Sequence, residues 1–191
     1  MESPAKSALI APILHGRHIV LRPLSINDDE AVYRLRSQVE VMEFIHRPLT
    51  SSVHEARELI LSNLLDMELG DSLVWAICQP NDDELIGMVG FWRLQLQHQK
   101  GEIGYLLDPR FKGRGYASEA VQIVLQHVFI TLGWNKVEAD ILPQNHASIR
   151  VVEKAGFKQE LLLRDHEYWE GQFYDQAWYG LTRSDYLKSL A

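Results

Sequence analysis

The segment Asp108-Pro-Arg-Phe-Lys-Gly-Arg-Gly-Tyr-Ala-Ser-Glu-Ala120 constrains this chain more than any other. It is a basic, glycine-rich loop that runs directly into an apolar helical stripe. Gly113 and Gly115 allow the backbone to approach a ligand closely, and the first turn of the following helix presents unpaired N–H groups and a positive dipole end. Such a junction suits an anion, and a pyrophosphate is its natural occupant. Upstream, Gly101-Glu-Ile-Gly-Tyr-Leu-Leu107 reads as a strand that stops at Pro109, which cannot continue a ladder. Downstream, Ala117, Ala120, Val121, Val124, Leu125, Val128, Phe129 and Leu132 recur at helical spacing, and Gly133 supplies a stop. A strand, a glycine loop and a buried helix in that order restrict the fold to the α/β class.

Three nucleotide-binding loops share this order. A Walker A loop requires Lys-Ser or Lys-Thr after its last glycine, and neither follows Gly115. A dinucleotide fingerprint requires G-x-G-x-x-G, but Ser118 stands in the last glycine position and no acidic partner occupies the expected strand context. The remaining reading is an acyl-coenzyme A loop.

Lys112-Gly-Arg-Gly-Tyr-Ala117 resembles the Q/R-x-x-G-x-G/A loop of the GNAT N-acetyltransferase superfamily, with Lys where Gln or Arg is usual, a change that keeps the positive charge. A second block, Pro143-Gln-Asn-His-Ala-Ser-Ile-Arg-Val-Val-Glu-Lys-Ala-Gly-Phe157, is similar to the N-x-x-S-x-x-x-x-E-K-x-G-F segment of the branch that contains the ribosomal-protein N-terminal alanine acetyltransferases. Arg17-His-Ile-Val-Leu-Arg-Pro-Leu24 and Glu170-Gly-Gln-Phe-Tyr-Asp175 also match that branch. The resemblance runs over roughly residues 15–183. It implies a tail at 1–14, an N-acetyltransferase domain at 15–183 and a tail at 184–191, with a twisted mixed sheet of about seven strands splayed at its centre and about four helices.

Local signals outside these motifs agree with one mixed α/β domain. Residues 17–24 alternate as a strand, and Asn27, Asp28 and Asp29 can cap a helix carrying Ala31, Val32 and Leu35. Ser52 and Glu55 form a capping-box pattern for a helix near 52–69. Strands are expected at about 73–79, 85–96, 101–107 and 136–142, a capped helix from about Asn145 to Ala155, and a terminal hairpin near 157–165 and 173–182.

The resemblance also implies the chemistry. The strands at 102–107 and 136–142 part, and the pantetheine of acetyl-CoA lies between them, paired with backbone groups of Tyr105, Leu106 and Leu107 as a missing strand would be. One of those N–H groups faces the thioester oxygen, where it can stabilise an oxyanion. The pyrophosphate falls on Lys112, Gly113, Arg114, Gly115, Tyr116, Ala117 and Ser118. Asn145 caps its helix and meets the cofactor. The branch carries a catalytic glutamate where this chain has Glu167, the candidate base for an amine acceptor. No tyrosine stands between Asn145 and Phe157 to protonate the leaving thiolate. Ser148 occupies the matching position as a hydrogen-bond donor to the sulfur.

The acceptor side carries no motif. Residues 25–70 would shape it, and Phe44-Ile-His-Arg-Pro48 is the stretch to inspect. A protein N-terminus, ribosomal in the branch's manner or of another peptide, a polyamine, an aminoglycoside or another small amine all remain open, as does an acetyl-CoA-binding sensor without catalysis. A net charge of -7 argues against nucleic acid as the partner and mildly favours a cationic one. The single cysteine, Cys78, lies in an apolar run and reads as core. No H-E-x-x-H or cysteine cluster predicts a metal. No stretch approaches ~18 apolar residues, and the N-terminus has no sustained apolar segment, so neither a membrane span nor a signal peptide is expected. A cytoplasmic monomer or homodimer is the expectation.

Overall fold

The computed structural model describes residues 9–190; the first part of the expected N-terminal tail and Ala191 lie outside them. Among these residues eight strands form one sheet: β1 (Leu14–His15), β2 (Val20–Pro23), β3 (Leu73–Cys78), β4 (Gly87–Gln95), β5 (Lys100–Leu107), β6 (Lys136–Ile141), β7 (Lys158–Trp169) and β8 (Gln172–Thr182). Their spatial order is β1-β2-β3-β4-β5-β6-β8-β7. Every neighbouring pair is antiparallel except β5 and β6, which run parallel. That pair needs a crossover, and the glycine loop with its helix supplies it.

Among the described residues six α-helices accompany the sheet: α1 (Asp29–Arg36), α2 (Val39–Met42), α3 (Val53–Glu68), α4 (Tyr116–Gln126), α5 (His146–Lys154) and α6 (Arg183–Ser189). The strand and helix counts exceed the expected seven and four because β1 has only two residues, α2 is a single turn, and α6 lies in the stretch read as a tail. Sequence periodicity cannot register elements that short. The α6 start was nonetheless encoded, since Thr182 caps it by accepting from the Asp185 N–H at 3.1 Å.

The core forms where the helices cover β3, β4 and β6. β3 is buried along its whole length, and Trp75, Phe91, Phe129 and Leu125 are fully enclosed. Cys78 belongs to this core, and burial pushes its thiol up to about 11. Trp75 spends its indole N–H on the Pro12 carbonyl at 2.8 Å, so its burial leaves no orphan donor. α4 sets Ala120, Val121, Val124 and Leu125 against the sheet, then loosens into a π-helical stretch over His127–Thr131 before Gly133 turns the chain at φ 70°. The β7–β8 hairpin is longer than the sequence suggests. Glu170 and Gly171 both take positive φ (45° and 90°), giving a two-residue turn with the right twist, while Asp165 at φ 50° marks an irregularity that the strand passes through.

Candidate functional site

The site begins where β5 and β6 separate. Their parallel register holds for Lys100 with Lys136, Gly101 with Val137 and Glu102 with Glu138, and then stops. From Ile103 to Leu107 the β6-facing edge of β5 has no strand beside it. The reason is visible on the other side of β6: that strand follows β8 through Ile141, in register with Ala177, and so is drawn away from β5. The result is a wedge with unpaired backbone groups on one wall. Tyr105 reaches across it, its hydroxyl donating to the Ser148 carbonyl at 3.2 Å, and burial pushes that phenol up to about 12.

At the end of β5 the chain enters the glycine loop. Buried Asp108 caps the turn that follows by accepting from the Arg110 N–H at 2.9 Å, and it also holds the Arg110 guanidinium. Gly113 and Gly115 have φ of 76° and 81°, and a Cβ at either would meet nothing within 4 Å. Glycine is therefore required by backbone conformation, and the space before the loop is open. Gly115 is the N-cap of α4 and carries no side chain, while the first helical bond there runs from Glu119 N–H to Gly115 C=O. The N–H groups of Tyr116, Ala117 and Ser118 are thus directed outward at the positive end of the helix. Lys112 rests on Glu40 at 2.7 Å, both half exposed or more, and Arg114 stacks over Phe111 at 5.3 Å. A surface pair of that kind is worth only ~0–1 kcal/mol and exchanges readily for a stronger anion. Glycine cradle, outward N–H groups and open space together fit a pyrophosphate.

α5 borders the wedge on the β6 side. Asn145 Oδ1 accepts from the Ser148 N–H at 3.0 Å, which fixes the first turn. Asn145, Ser148, Gly104, Tyr105 and Leu106 all line a cavity of about 760 Å³. Leu107 and residues 112–118 do not line it, so the glycine loop lies beyond the cavity.

The rest of the cavity wall is assembled from distant segments. Phe44, Ile45 and Arg47, from the stretch singled out in the sequence, line it with Arg36 of α1, Leu59 and Asn63 of α3 and Trp92 of β4. Asn63 accepts the Trp92 indole N–H at 3.1 Å, pinning α3 to the sheet at this point.

Two carboxylates missed in the sequence stand inside the wedge. Glu102 is the last β5 residue to pair with β6, and Asp140 is two residues beyond the last paired β6 residue. Their side chains are 20% and 15% exposed. Arg93 binds Glu102 at 2.8 Å and reaches Asp140 only at 4.0 Å. Asp140 Oδ1 is fully buried without a hydrogen-bond partner among the described residues. Burial, reinforced by the Glu102 charge and only partly offset by Arg93, pushes Asp140 up to about 6. Burial raises Glu102 as well, against the pull of Arg93. The signal was present in the alternation Lys136, Glu138, Asp140, which puts polar groups on one face of a strand inside the sheet. Lys100 and Lys136 neutralise Glu138 at 2.8 and 3.1 Å, and only the register shows that neither lysine pairs with Asp140.

Glu167 lies nearby on β7 but does not line the cavity. Its Oε2 accepts from Gln176 Nε2 at 2.6 Å and meets His46 Nδ1 at 2.7 Å. His46 is 6% exposed and stacks on Trp169 with a 4° interplanar angle, while Tyr174 packs against it at 4.4 Å. Glu167 therefore joins the 43–50 loop to the hairpin, and its charge is felt at Asp140. Among the described residues no cluster of His, Cys, Asp and Glu could hold a metal ion, and no helix is long and apolar enough to cross a membrane.

Comparison with known proteins agrees with this geometry. A family model described as an acetyltransferase (GNAT) domain matches residues 18–158. The chain is 32% identical over 174 residues to p20 of Bacillus licheniformis, an uncharacterized N-acetyltransferase, covering 91% of this chain and 97% of that protein. The fold superposes on the spermidine N-acetyltransferase from Vibrio cholerae in complex with CoA and spermine with a TM-score of 0.80 at 21% identity, covering 90% and 99% of the two chains. It superposes on RimL, the ribosomal L7/L12 alpha-N-protein acetyltransferase in complex with coenzyme A, with a TM-score of 0.82 at 23% identity, covering 89% and 97%. At those identities the two structures speak to fold alone.

Proposed function

Because this chain belongs to the GNAT acetyltransferase family and is an N-acetyltransferase, we propose that it transfers the acetyl group of acetyl-CoA to a primary amine seated in the cavity at the mouth of the wedge. The observation that carries this reading is the parting of β5 from β6 after Glu102, which joins the cavity to the glycine loop through one continuous strand. The acceptors named for the two structural relatives, spermidine and the N-terminus of a ribosomal protein, are both primary amines.

In this reading acetyl-CoA supplies an activated thioester when bound. Tyr116, Ala117 and Ser118 offer their N–H groups to the pyrophosphate, Gly113 and Gly115 admit it, and Lys112 and Arg114 add charge. The free edge of β5 at Tyr105, Leu106 and Leu107 pairs with the pantetheine amides. Asn145 holds the first turn of α5 so that Ser148 can donate its hydroxyl to the sulfur. An acceptor amine must lose a proton on attack. Asp140 is placed for that transfer better than Glu167, since Asp140 lines the cavity, whereas Glu167 does not and has its Oε2 occupied by Gln176 and His46. The nitrogen lone pair of the neutral amine would form the new bond to the acetyl carbon, an N–H bond would break with its proton passing to the Asp140 carboxylate, and the C–S bond would break with the electron pair leaving on the coenzyme A thiolate, which the Ser148 hydroxyl would receive by hydrogen bond. Glu167 then acts behind Asp140, holding the 43–50 loop against the hairpin.

The test is release of free thiol from acetyl-CoA with N-terminal peptides, polyamines, aminoglycosides and simple amines. Acceptor-dependent release supports the reading. Tight acetyl-CoA binding with no release for any amine would leave the sensor reading in its place.

A further inference from the structure

The acceptor side of the cavity holds an unusual pair of cations. Arg36 ends α1 and Arg47 follows α2, and both line the same space as Asp140. The Thr50 N–H donates to the Arg36 carbonyl at 3.1 Å, so the loop bearing Arg47 is tied to the helix bearing Arg36. Elsewhere Arg22, Arg34, Arg57, Arg93 and Arg110 each bind a carboxylate. Among the described residues neither Arg36 nor Arg47 has one within 4 Å. Glu55 would be the obvious partner for Arg36, but its carboxylate is held by the Ser51 N–H and hydroxyl, both at 2.7 Å. Other unpaired arginines, such as Arg150 and Arg164, are exposed to water, whereas Arg36 is half-buried and its Nε is fully enclosed without a partner. Burial and the like charge of Arg47 pull the Arg36 guanidinium below its ordinary value. A half-buried cationic donor with its Nε enclosed and unpaired, beside a second cation, is unfavourable unless something anionic completes it. Balancing the dipole at the end of α1 would justify an arginine in the last turn, but an exposed one serves that purpose equally well.

We infer that the acceptor is a primary amine that also carries an anionic group, a carboxylate or a phosphate, with Arg36 and Arg47 receiving the anion and Asp140 facing the ammonium. The inference rests on the amine-acetyltransferase reading above and narrows it. The pyrophosphate loop does not line this cavity, so the anion read by the two arginines is distinct from the one held at residues 112–118. Guanidinium groups bind carboxylate and phosphate in a bidentate fork, and they repel a second ammonium at the same place. Asp66, Asp71, Glu102 and Asp140 also line the cavity, so the selection is local: at the Arg36 and Arg47 end a second ammonium is disfavoured and an anion preferred.

The experiment measures kcat/KM at saturating acetyl-CoA for matched acceptors. These are α,ω-amino acids of increasing length and 2-aminoethyl phosphate, each beside its uncharged amide or alcohol counterpart, with spermidine included. The carboxylate and phosphate arms distinguish the two anions. At least one anionic member should exceed its uncharged counterpart by about tenfold or more. Arg36→Ala and Arg47→Ala should each bring that ratio toward one through the acceptor KM, while the KM for acetyl-CoA stays unchanged. Arg47 is exposed, so its variant tests the idea even if Arg36→Ala is poorly folded, and thermal unfolding of both reports on folding. A ratio of one or less for every pair, spermidine as the best acceptor, or a preference that survives both substitutions would overturn the inference. If no amine at all is acetylated, the parent reading has failed. Calorimetric titration of the same anionic amines into the protein with coenzyme A then decides the inference separately: binding lost in both arginine variants supports it, and no binding overturns it.

Discussion

Replacing Asp140 by Asn should make the protein more stable and less active at the same time. The side chain is isosteric, so the change removes a charge with little change in volume. In the folded protein Asp140 is pushed from the ordinary aspartate value of 3.8 to about 6. An acid with a raised folded value binds its proton more tightly folded than unfolded. Its contribution to stability is therefore greatest below pH ~4, declines as pH rises to ~6, and remains as a constant deficit above that. At ~1.4 kcal/mol per pH unit the deficit is at most ~3 kcal/mol, and residual solvent access to a side chain 15% exposed reduces it to ~1–2 kcal/mol. For a chain of 191 residues that corresponds to a rise in Tm of roughly 2–8 °C at pH 8, vanishing near pH 4. The assay is thermal unfolding of both proteins from pH 4 to 8, run beside acetyl transfer over the same range. Activity of the parent should climb through pH ~6 as Asp140 ionises, and the variant should lose that limb and about 10²-fold in kcat/KM. A variant less stable at pH 8 would show that Asp140 is satisfied in the folded protein. Unchanged activity would remove it from the proton path, whatever its effect on stability.

Three further outcomes test the remaining parts of the site. Gly115→Val forces a branched residue to φ 81° at the N-cap of α4; it should raise the KM for acetyl-CoA at least tenfold in steady-state kinetics, and an unchanged KM would move the pyrophosphate elsewhere. Ser148→Ala keeps the backbone bond to Asn145 and removes only the hydroxyl, so kcat should fall about tenfold; a loss below about twofold assigns Ser148 to the helix alone. Glu167→Gln retains a group able to accept from Gln176 but loses the charge opposite His46, so it should lower Tm and raise the acceptor KM while leaving the pH limb near 6 in place. If that limb disappears instead, Glu167 is the base and Asp140 is not.

Much of the fold was legible because its signals are local. The helix expected near 52–69 is Val53–Glu68, and Ser52 caps it through the Glu55 N–H at 3.1 Å. The reciprocal half of the expected box differs, since the Glu55 carboxylate turns to Ser51. The helix expected from Asn145 to Ala155 is His146–Lys154 with Asn145 at its cap. Elements without a periodic stretch, such as β1 and α2, escaped notice. Reading the 157–165 strand as ending at Asp165 mistook an irregularity for a terminus, because its positive φ is set by the register with β8 rather than by a glycine. Phe44, Ile45 and Arg47, from the stretch singled out in the sequence, line the cavity, but nothing local indicated that His46 between them would turn to Glu167, 121 positions away.

The glycine loop between Asp108 and Ala120 was determined by the sequence alone, since two positive-φ glycines, a cap and three free N–H groups are properties of consecutive residues. It carries the proposed donor end of the site and part of the resemblance to the family. Tertiary structure alone decided the proposed acceptor end. Asp140 draws its chemistry from lying just beyond the point where β6 leaves β5, and Arg36 from being enclosed beside Arg47 with Glu55 otherwise engaged. Neither burial nor the absence of a partner is written in the residues themselves. Both arise when segments as far apart as α1 and β6 close on a common cavity, where burial raises Asp140 and encloses the Arg36 Nε without a partner.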